Sequence, residues 1–349
     1  MNLPFLQPKI SVRERAFLAR QMATMLSAGV HLTQGMNMIA EQVRNKRLQE
    51  ILFEVVADIN RGLAFSAAIA KHPEAFDLVF VSVAKSGEAT GKLDEVLENL
   101  AAQLEEQDEF ISSIRGALLY PIFILIVMIA VGIFMSVRVV PQLKTVFDEA
   151  GASLPWTTRL LVTISDTLIN YWYIYIVAFA GLIALTRWYL TTEQGQLFYN
   201  QIQIKNPTGI GLAVYMARFS GTLSMLTKAG VPIIQAVNIT ADVMSNEIYR
   251  RSLKEVVSEL ERGIPISTPI GRNPYFPAVV SQMLAVGEQT GQIDAILGKL
   301  AKFYRDEATR RVHDLSRLFE PAMIVLIGFG VAFIVFSILL PIYNIAQLQ

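Results

Sequence analysis

Two glycine-rich segments are the first residues of this chain whose spacing could support chemistry. Residues 87–91 read Gly-Glu-Ala-Thr-Gly, and residues 287–291 read Gly-Glu-Gln-Thr-Gly. A phosphate-binding loop needs GxxxxGK followed by Ser or Thr, because its amides and lysine cradle the phosphates. Neither segment has that lysine, so each is predicted to be a turn between helices with a locally bonded threonine, Thr90 or Thr290. The turn glycines are Gly87, Gly91, Gly287 and Gly291.

Other residues of catalytic type lack a workable arrangement. The chain has no cysteine, which excludes disulfides, thiolate metal sites and cysteine nucleophiles. Its histidines, His31, His72 and His313, are far apart and show no ligand spacing. The acidic run at 105–109 is typical of a solvated helix face, with a metal site as the less favoured alternative. We therefore expect no enzyme activity, no cofactor and no metal.

Five charged residues are candidates for contact with a partner protein. Glu88 and Glu288 occupy the same place in the two glycine-rich segments, where an inter-helix loop would expose a repeated acidic contact. The alternative is a solvated residue or a charge at a helix N-terminus. Arg250, Arg251 and Lys254 form a basic block that suits an acidic partner or lipid head groups. A net charge of zero gives no support for nucleic-acid binding.

The elements that carry these residues occur twice. The offset is 201 residues for Gly29 and Gly230, and 200 for Gly87 and Gly287. A period this long indicates a duplicated domain, not a solenoid. Other glycines repeat as well, and those expected at helix C-termini, where left-handed backbone is needed, are Gly29, Gly62, Gly230 and Gly263.

Three uncharged stretches are long enough to cross a membrane. The chain is 53% hydrophobic and only 17% charged, and its mean hydropathy is +0.42. Residues 117–137, 168–186 and 322–340 contain no charged side chain. About 20 apolar residues in a helix span the roughly 30 Å of hydrocarbon in a bilayer. No signal peptide is recognisable at the start of the chain, so the first span is expected to act as the insertion signal.

The distribution of positive charge predicts the orientation. Residues 1–116 carry 12 Lys and Arg and residues 187–321 carry 15, whereas 138–159 carry three. The positive-inside rule therefore places both large blocks in the cytoplasm, the N-terminus with them, and the C-terminus in the periplasm. The predicted segments are a cytoplasmic helical domain at 1–116, a transmembrane helix at 117–139, a periplasmic loop at 140–166, a transmembrane helix at 167–187, a second cytoplasmic helical domain at 188–320, a transmembrane helix at 321–341 and a periplasmic tail at 342–349.

Each cytoplasmic block is predicted to be a bundle of about six helices with its own core. Apolar residues recur at helical spacing from Leu93 to Leu104 and again from Ile293 to Tyr304. The last helix of each block is expected to run into the membrane. Pro121 and Pro321 mark the span boundaries, either as kinks that pass movement to the span or as short polar breaks. The fold class is therefore an all-α membrane protein with two duplicated bundles and three transmembrane helices.

These features together resemble a known family. The marks in the first copy are the stretch at 20–30 (RQMATMLSAGV), Ser-Gly-Glu at 86–88, Tyr-Pro at 120–121 and a loop that contains Val140, Pro141, Phe147, Gly151, Leu154, Pro155 and Thr158. The second copy has Ala-Gly-Val at 229–231, Val-Gly-Glu at 286–288 and Glu-Pro at 320–321. This pattern is similar to the inner-membrane platform protein of type IV pili and type II secretion systems, the type II secretion system F family.

Two features depart from the family's pattern. Many members carry a further segment before the first helical domain, which here starts almost at once, so contacts made by that segment are in doubt. The second copy has Gly-Thr-Leu at 221–223, where the first has Arg-Gln-Met at 20–22. The family supplies no established catalytic residue.

The resemblance implies a role in assembly. Such a protein contacts a cytoplasmic hexameric ATPase, receives pilin or pseudopilin subunits from the bacterial inner membrane, and works with other inner-membrane assembly proteins as a homo-oligomer. The alternative is a membrane transporter or permease subunit. The uncharged spans argue against transport, because a transporter usually carries an ionisable residue that faces a cavity.

Overall fold

The computed structural model describes residues 10–142, Thr145 and 156–346, and all of its regular structure is helical. It divides into two compact units. Unit 1 contains Met1–Ser113 and Asn200–Arg311, so both repeats lie in it. Unit 2 contains Ile114–Tyr199 and Val312–Gln349. The prediction of an all-α chain built from a duplicated bundle is confirmed for the described residues.

Each repeat contributes six helices, as predicted. Those of repeat 1 are α1 (Val12–Ser27), α2 (Leu32–Gln42), α3 (Lys46–Asn60), α4 (Phe65–Ile69), α5 (Leu78–Thr90) and α6 (Leu93–Phe134). Two helices follow, α7 (Trp156–Thr191) and α8 (Glu193–Lys205). Those of repeat 2 are α9 (Ile210–Lys228), α10 (Ile233–Val243), α11 (Glu247–Leu260), α12 (Ser267–Arg272), α13 (Ala278–Thr290) and α14 (Ile293–Ala346).

Polar caps and glycines set the helix ends. Ser11 and Glu14 form a capping box at the start of α1, each side chain accepting from the other's backbone amide. Asp77 caps α5 by accepting from the amide of Phe80. The four glycines expected at helix C-termini all have φ between +80° and +91°, a region that a Cβ disfavours, so those predictions are confirmed. They are Gly29, Gly62, Gly230 and Gly263.

The two repeats share one continuous hydrophobic core, where the sequence predicted a separate core for each. The helical faces read from the sequence are confirmed, since Leu97 and Leu100 of α6 and Leu297 and Leu300 of α14 are buried. Apolar periodicity shows which face of a helix is buried, but it does not show which helix covers that face. The repeats therefore form a single folded unit.

The glycine-rich segments differ from the predicted turns. Only Gly91 and Gly291 are turn residues, with φ of +67° at the C-terminal ends of α5 and α13. Gly87 lies inside α5, fully buried, and a Cβ there would be 3.1 Å from Leu93 Cα. A Cβ on Gly287 would likewise be 3.1 Å from Ile293 Cα. The missing side chains of these two glycines let α6 pack closely on α5 and let α14 pack closely on α13. The spacing of glycines along the sequence does not reveal this requirement.

The threonines of these segments bond locally, as predicted. Thr90 Oγ1 donates to the carbonyl of Ser86 at 2.9 Å, and Thr290 Oγ1 donates to that of Val286 at 2.8 Å. Both bonds reach back one helical turn. They therefore reinforce the last turn of α5 and α13.

Within the described part of the chain, three helices are long and apolar enough to cross a membrane: Leu93–Gln142, Ser165–Thr191 and Ile293–Phe333. The helices pass through Pro121 and Pro321 without interruption. Helix α6 leads into a π-helical turn at Met135–Val139. Helix α7 contains a kink at Tyr171, where φ is −120° and ψ is 18°.

The segment predicted as a loop, 140–166, is helical at both of its described ends. Helical structure extends to Gln142 and resumes at Trp156. Four of the family marks in that loop, Phe147, Gly151, Leu154 and Pro155, lie outside the described residues. The tail predicted at 342–349 is helical through Ala346.

The close approach at Gly87 gives a first prediction. Gly87→Ala places a Cβ 3.1 Å from both Leu93 Cα and Val96 Cβ, and overpacking of this kind costs about 1–3 kcal/mol. We expect a lower Tm in detergent. Gly116→Ala is the matched control, because a Cβ there meets nothing within 4 Å and Ala in a helix is favoured by about 0.5–1 kcal/mol. An unchanged Tm for Gly87→Ala would contradict the assigned packing.

Candidate functional site

The two repeated glutamates cap short helices inside their own repeats. Glu88 Oε1 accepts from the backbone amide of Phe65 at 2.7 Å. Its Oε2 accepts from the amide of Ser66 at 3.2 Å and from the Ser66 hydroxyl at 2.6 Å. These amides start α4 and have no partner within that helix. The carboxylate thus satisfies them and places a negative charge at the positive end of the helix.

Glu288 repeats this arrangement at α12. Its Oε1 accepts from the amide of Ile266 at 2.6 Å, and its Oε2 from the amide of Ser267 at 3.3 Å. The Ser267 hydroxyl also donates to Oε2. The prediction that Glu88 and Glu288 lie in inter-helix loops is wrong, because both lie inside helices, α5 and α13. Their repetition reflects a structural requirement of each bundle.

The basic block lies on α11, and each of its residues has a partner within repeat 2. Arg250 pairs with Glu247 at 3.1 Å and donates to the carbonyl of Met244. Arg251 pairs with the same glutamate at 2.9 Å. Lys254 reaches α10, where it pairs with Asp242 at 2.6 Å. Of these ion pairs, only the Lys254–Asp242 pair joins α10 to α11, and Arg251 remains the most exposed of the three at 61%.

Among the described residues, no group of three or more His, Cys, Asp or Glu side chains is placed to hold a metal ion. The three histidines lie on different elements, and buried His72 faces Glu54 at 3.6 Å. The described geometry therefore offers no candidate metal site. Its distinctive polar contacts lie between the repeats instead.

Polar contacts and one close approach join repeat 1 to repeat 2 in the described part of unit 1. Ser86 Oγ donates to the carbonyl of Ala229 at 2.6 Å. Gln103 lies against Gly221, where a Cβ would be 2.8 Å from its Nε2. Arg305 of α14 pairs with Glu106 of α6. The face of α5 and α6 in repeat 1 therefore packs on the face of α9 and α14 in repeat 2.

A cleft of about 220 Å³ adjoins this contact. Arg15, Arg218 and Arg305 line it, opposed by the single carboxylate of Asp77. Arg15 pairs with Asp77 at 2.9 Å, while its Nε is buried without a hydrogen-bond partner among the described residues. Desolvation lowers the pKa of Arg218, and the charge of Asp77 opposes that shift. Arg15 pairs with Asp77 and Arg305 with Glu106, so two of the three cations in the cleft are already neutralised.

A charged cluster in repeat 1 has no equivalent in repeat 2. Arg20 Nε and Nη2 donate to the two oxygens of Glu105 at 2.8 and 2.6 Å, and Nη1 pairs with Glu98. The aligned residues of repeat 2 are Gly221, Gly298 and Arg305. Sequence reasoning noted Gly221 as a departure but missed its meaning. Aligning the two repeats position by position would have shown the coordinated change of all three.

The glutamate caps give a second prediction. Glu88→Gln and Glu288→Gln each remove the charge that accepts three hydrogen bonds, and we expect each to cost roughly 1–2 kcal/mol of stability. The measurement is the Tm of the purified protein in detergent. Glu255→Gln on α11, an exposed carboxylate, is the control and should leave the Tm unchanged. Equal Tm values for all three variants would rule out the capping role.

The Arg20 cluster gives a third prediction, a pH dependence. Hydrogen bonds from Arg20 lower the pKa of Glu105 below its ordinary value of 4.5. A depressed carboxyl pKa contributes stability that is complete above the unfolded pKa and is lost as pH falls through the folded pKa. The Tm difference between wild type and Arg20→Met should therefore be largest near neutral pH and shrink below pH 4.5.

A control isolates this effect. Arg272→Met breaks an exposed ion pair with Glu259 at 3.4 Å. Exposed ion pairs contribute little to stability. We expect a small Tm difference for this variant at every pH. A Tm difference for Arg20→Met that persists unchanged in acid would show that its cause is lost packing, not charge.

Comparison with known proteins supplies the family. The sequence profile of the family "Type II secretion system (T2SS), protein F" matches residues 18–141 and 219–341, one match in each repeat. The type IV pilus assembly protein PilC of Thermus thermophilus is 33% identical over 99% of this chain and 86% of its own length. The type II secretion system protein F of Vibrio cholerae is 30% identical over 97% and 84%.

A relative from a third organism agrees. The type II secretion system protein F of Aeromonas hydrophila is 29% identical over 96% of this chain and 87% of its own length. The two profile matches coincide with the duplication, and the relatives align along nearly the whole chain. The chain therefore belongs to the type II secretion system protein F family.

Proposed function

We propose that this chain is the inner-membrane platform of a type IV pilus or type II secretion machine. In that role it couples a cytoplasmic hexameric ATPase to the insertion of pilin-like subunits into a growing fibre. Family membership supports the proposal, since relatives over nearly the full chain are named for pilus assembly and for type II secretion. The proposal includes self-association and contact with other inner-membrane assembly proteins.

The observation that carries the proposal is the continuity of α6 and α14. Each helix begins in the core of unit 1, with Leu97 of α6 and Leu297 of α14 fully buried. Each then continues without a break into a membrane-length apolar segment. In the proposed mechanism, these continuous helices carry movement of the bundle to the apolar segments. A motor acting on unit 1 would use this connection.

The apolar segments suit contact with other membrane helices. None of the residues in the most apolar 18-residue stretch of each span is buried within the chain. Phe123, Phe179 and Phe329 are among the exposed side chains. Such surfaces are available to lipid, to a second copy or to the apolar helix of a pilin-like subunit, where helices associate by close packing.

The orientation belongs to the same proposal. Unit 1 would face the cytoplasm, because most Lys and Arg residues lie in the two repeats. The N-terminus would then be cytoplasmic and the C-terminus periplasmic. A cytoplasmic unit 1 is what contact with a soluble ATPase requires.

The candidate partner contacts differ in what the geometry leaves available. The carboxylates of Glu88 and Glu288 are occupied by the caps of α4 and α12. Reversing both charges would therefore weaken the fold as well as any contact. Arg251, at 61% exposure, is the member of the basic block best able to pair with an acidic partner while keeping Glu247. We retain the basic block as the proposed contact.

Photo-cross-linking from defined positions gives a fourth prediction. A photoreactive phenylalanine analogue at Met38 or Phe53, both exposed in unit 1, should capture a hexameric secretion-type ATPase in native membranes. The same analogue at Phe123 or Phe179 in the spans should capture pilin-like subunits. Mass spectrometry identifies the captured proteins. The analogue at buried Phe80 is the control and should capture neither.

The result that would overturn the proposal is equally specific. Capture of a solute-binding protein or of other permease subunits from the same positions would favour a transporter. Capture of the ATPase from the span positions and not from unit 1 would contradict the orientation. Capture of both partners from the expected positions supports the platform role.

A further inference from the structure

The two repeats meet through different surfaces, so each repeat has one surface in use and one left over. The leading surface is the one that repeat 1 presents, and it contains Ser86, Gln103 and Glu106. The receiving surface is the one that repeat 2 presents, and it contains Gly221, Ala229 and Arg305. By the repeat offset, repeat 2 has a second leading surface at Val286, Phe303 and Asp306, and repeat 1 has a second receiving surface at Arg20, Ala28 and Glu105.

We propose that the leading surface of repeat 2 docks on the receiving surface of repeat 1 in a second copy of this chain. The contact inside one chain would thus be repeated between chains, head to tail. The inference rests on the self-association included in the proposed function, but it does not depend on the motor or the pilin subunits.

The leading surface of repeat 2 is apolar and uncovered. Phe303 is 52% exposed, the highest value among the large apolar side chains described in unit 1, and Val286 is 47% exposed. The aligned residues of repeat 1, Gln103 and Ser86, are polar and face the other repeat. The polar residues of the paired surface in repeat 1 are therefore matched by exposed apolar residues in repeat 2. Those apolar residues lie on the surface that has no partner within the chain. Exposed apolar patches mark interaction sites, and the aligned residues of repeat 1 already serve as one within the chain.

The receiving surface of repeat 1 is also uncovered. Thr24 is exposed, whereas the aligned Met225 of repeat 2 is buried. Phe17 is 42% exposed and lies three residues before Arg20, on the same face of α1. It offers apolar area at the place where repeat 2 has Arg218. Both surfaces left over thus carry an exposed phenylalanine, as expected of two faces that meet.

The charges on the two left-over surfaces differ from those of the contact inside the chain. Within the chain, Arg305 of the receiving surface pairs with Glu106 of the leading surface. In repeat 1 a glutamate, Glu105, takes the place of Arg305, but the guanidinium of Arg20 lies on that carboxylate. Because Arg20 is already paired with Glu98 and Glu105, the contact gains no new ion pair with Asp306 of the second copy, and its apolar side chains carry it. A guanidinium at this position also suits the face of the Phe303 ring.

The cysteine-free sequence allows a direct test by cross-linking. Ala28→Cys and Val286→Cys are aligned with Ala229 and Ser86, which are in contact at 2.6 Å within the chain. Differently tagged copies, one with each substitution, are reconstituted together in liposomes and treated with a short bis-maleimide. We expect a cross-linked heterodimer in the mixture and a ladder of larger species from the double variant, because a head-to-tail contact uses both surfaces of each copy.

The matched control is Ser86→Cys with Ala229→Cys, which should cross-link within one chain and leave the mass unchanged. Val286→Cys alone or Ala28→Cys alone should give no dimer. A strong dimer from either single variant would reveal a two-fold contact and overturn the proposal. So would a mixture that yields no heterodimer while the control pair reacts.

A second variant tests the apolar contact without any cross-linking. Phe303→Glu should weaken self-association by about 10-fold or more, because loss of a central aromatic contact usually exceeds 1.4 kcal/mol. Phe53→Glu on α3, a residue 44% exposed and outside both surfaces, should leave self-association unchanged. The readout is native mass across a dilution series, with Tm as a check of folding. Unchanged self-association of folded Phe303→Glu would overturn the proposal, and retained ATPase capture would leave the proposed function intact.

Discussion

The contact between Gln103 and Gly221 is the constraint on which the arrangement of the two repeats depends. A duplicated domain starts with two identical surfaces, and the copies can pack on each other only through unlike faces unless a two-fold axis relates them. Here the faces have become unlike. Arg20 is replaced by Gly221, whose missing side chain leaves room for Gln103, and Glu105 is replaced by Arg305, which pairs with Glu106. An arginine at 221 would occupy the space that Gln103 needs.

Much of the fold could be predicted because local signals and global structure agree. Helical periodicity located the buried faces of α6 and α14, and glycines marked the ends of α1 and α9. The glycine-rich segments misled for a specific reason. Two glycines four residues apart resemble a loop, but Gly87 lies within α5 and is a glycine because Leu93 approaches it closely. Helix–helix distance is a tertiary property that spacing along the chain does not report.

The candidate site was harder to predict, since its charged residues satisfy partners distant in sequence. Glu88 bonds to amides more than 20 residues away, and Lys254 bonds to Asp242 on the preceding helix. A repeated charge in a duplicated chain has two explanations, a repeated partner or a repeated structural need. Sequence alone does not separate them. Here the identical hydrogen bonds of Glu88 and Glu288 indicate the structural need.

The caps made by Glu88 and Glu288 also affect how the bundle fluctuates. Helix α4 has only five residues, too few to be stable alone, and its first amides are held by a side chain from α5. Fraying of α5 would therefore release α4 at the same moment, and the two helices open as one cooperative unit. Because α12 depends on α13 in the same way, each repeat contains one such unit. The amide protons of Phe65 and Ile266 thus report, in hydrogen exchange, on the opening of helices to which they do not belong.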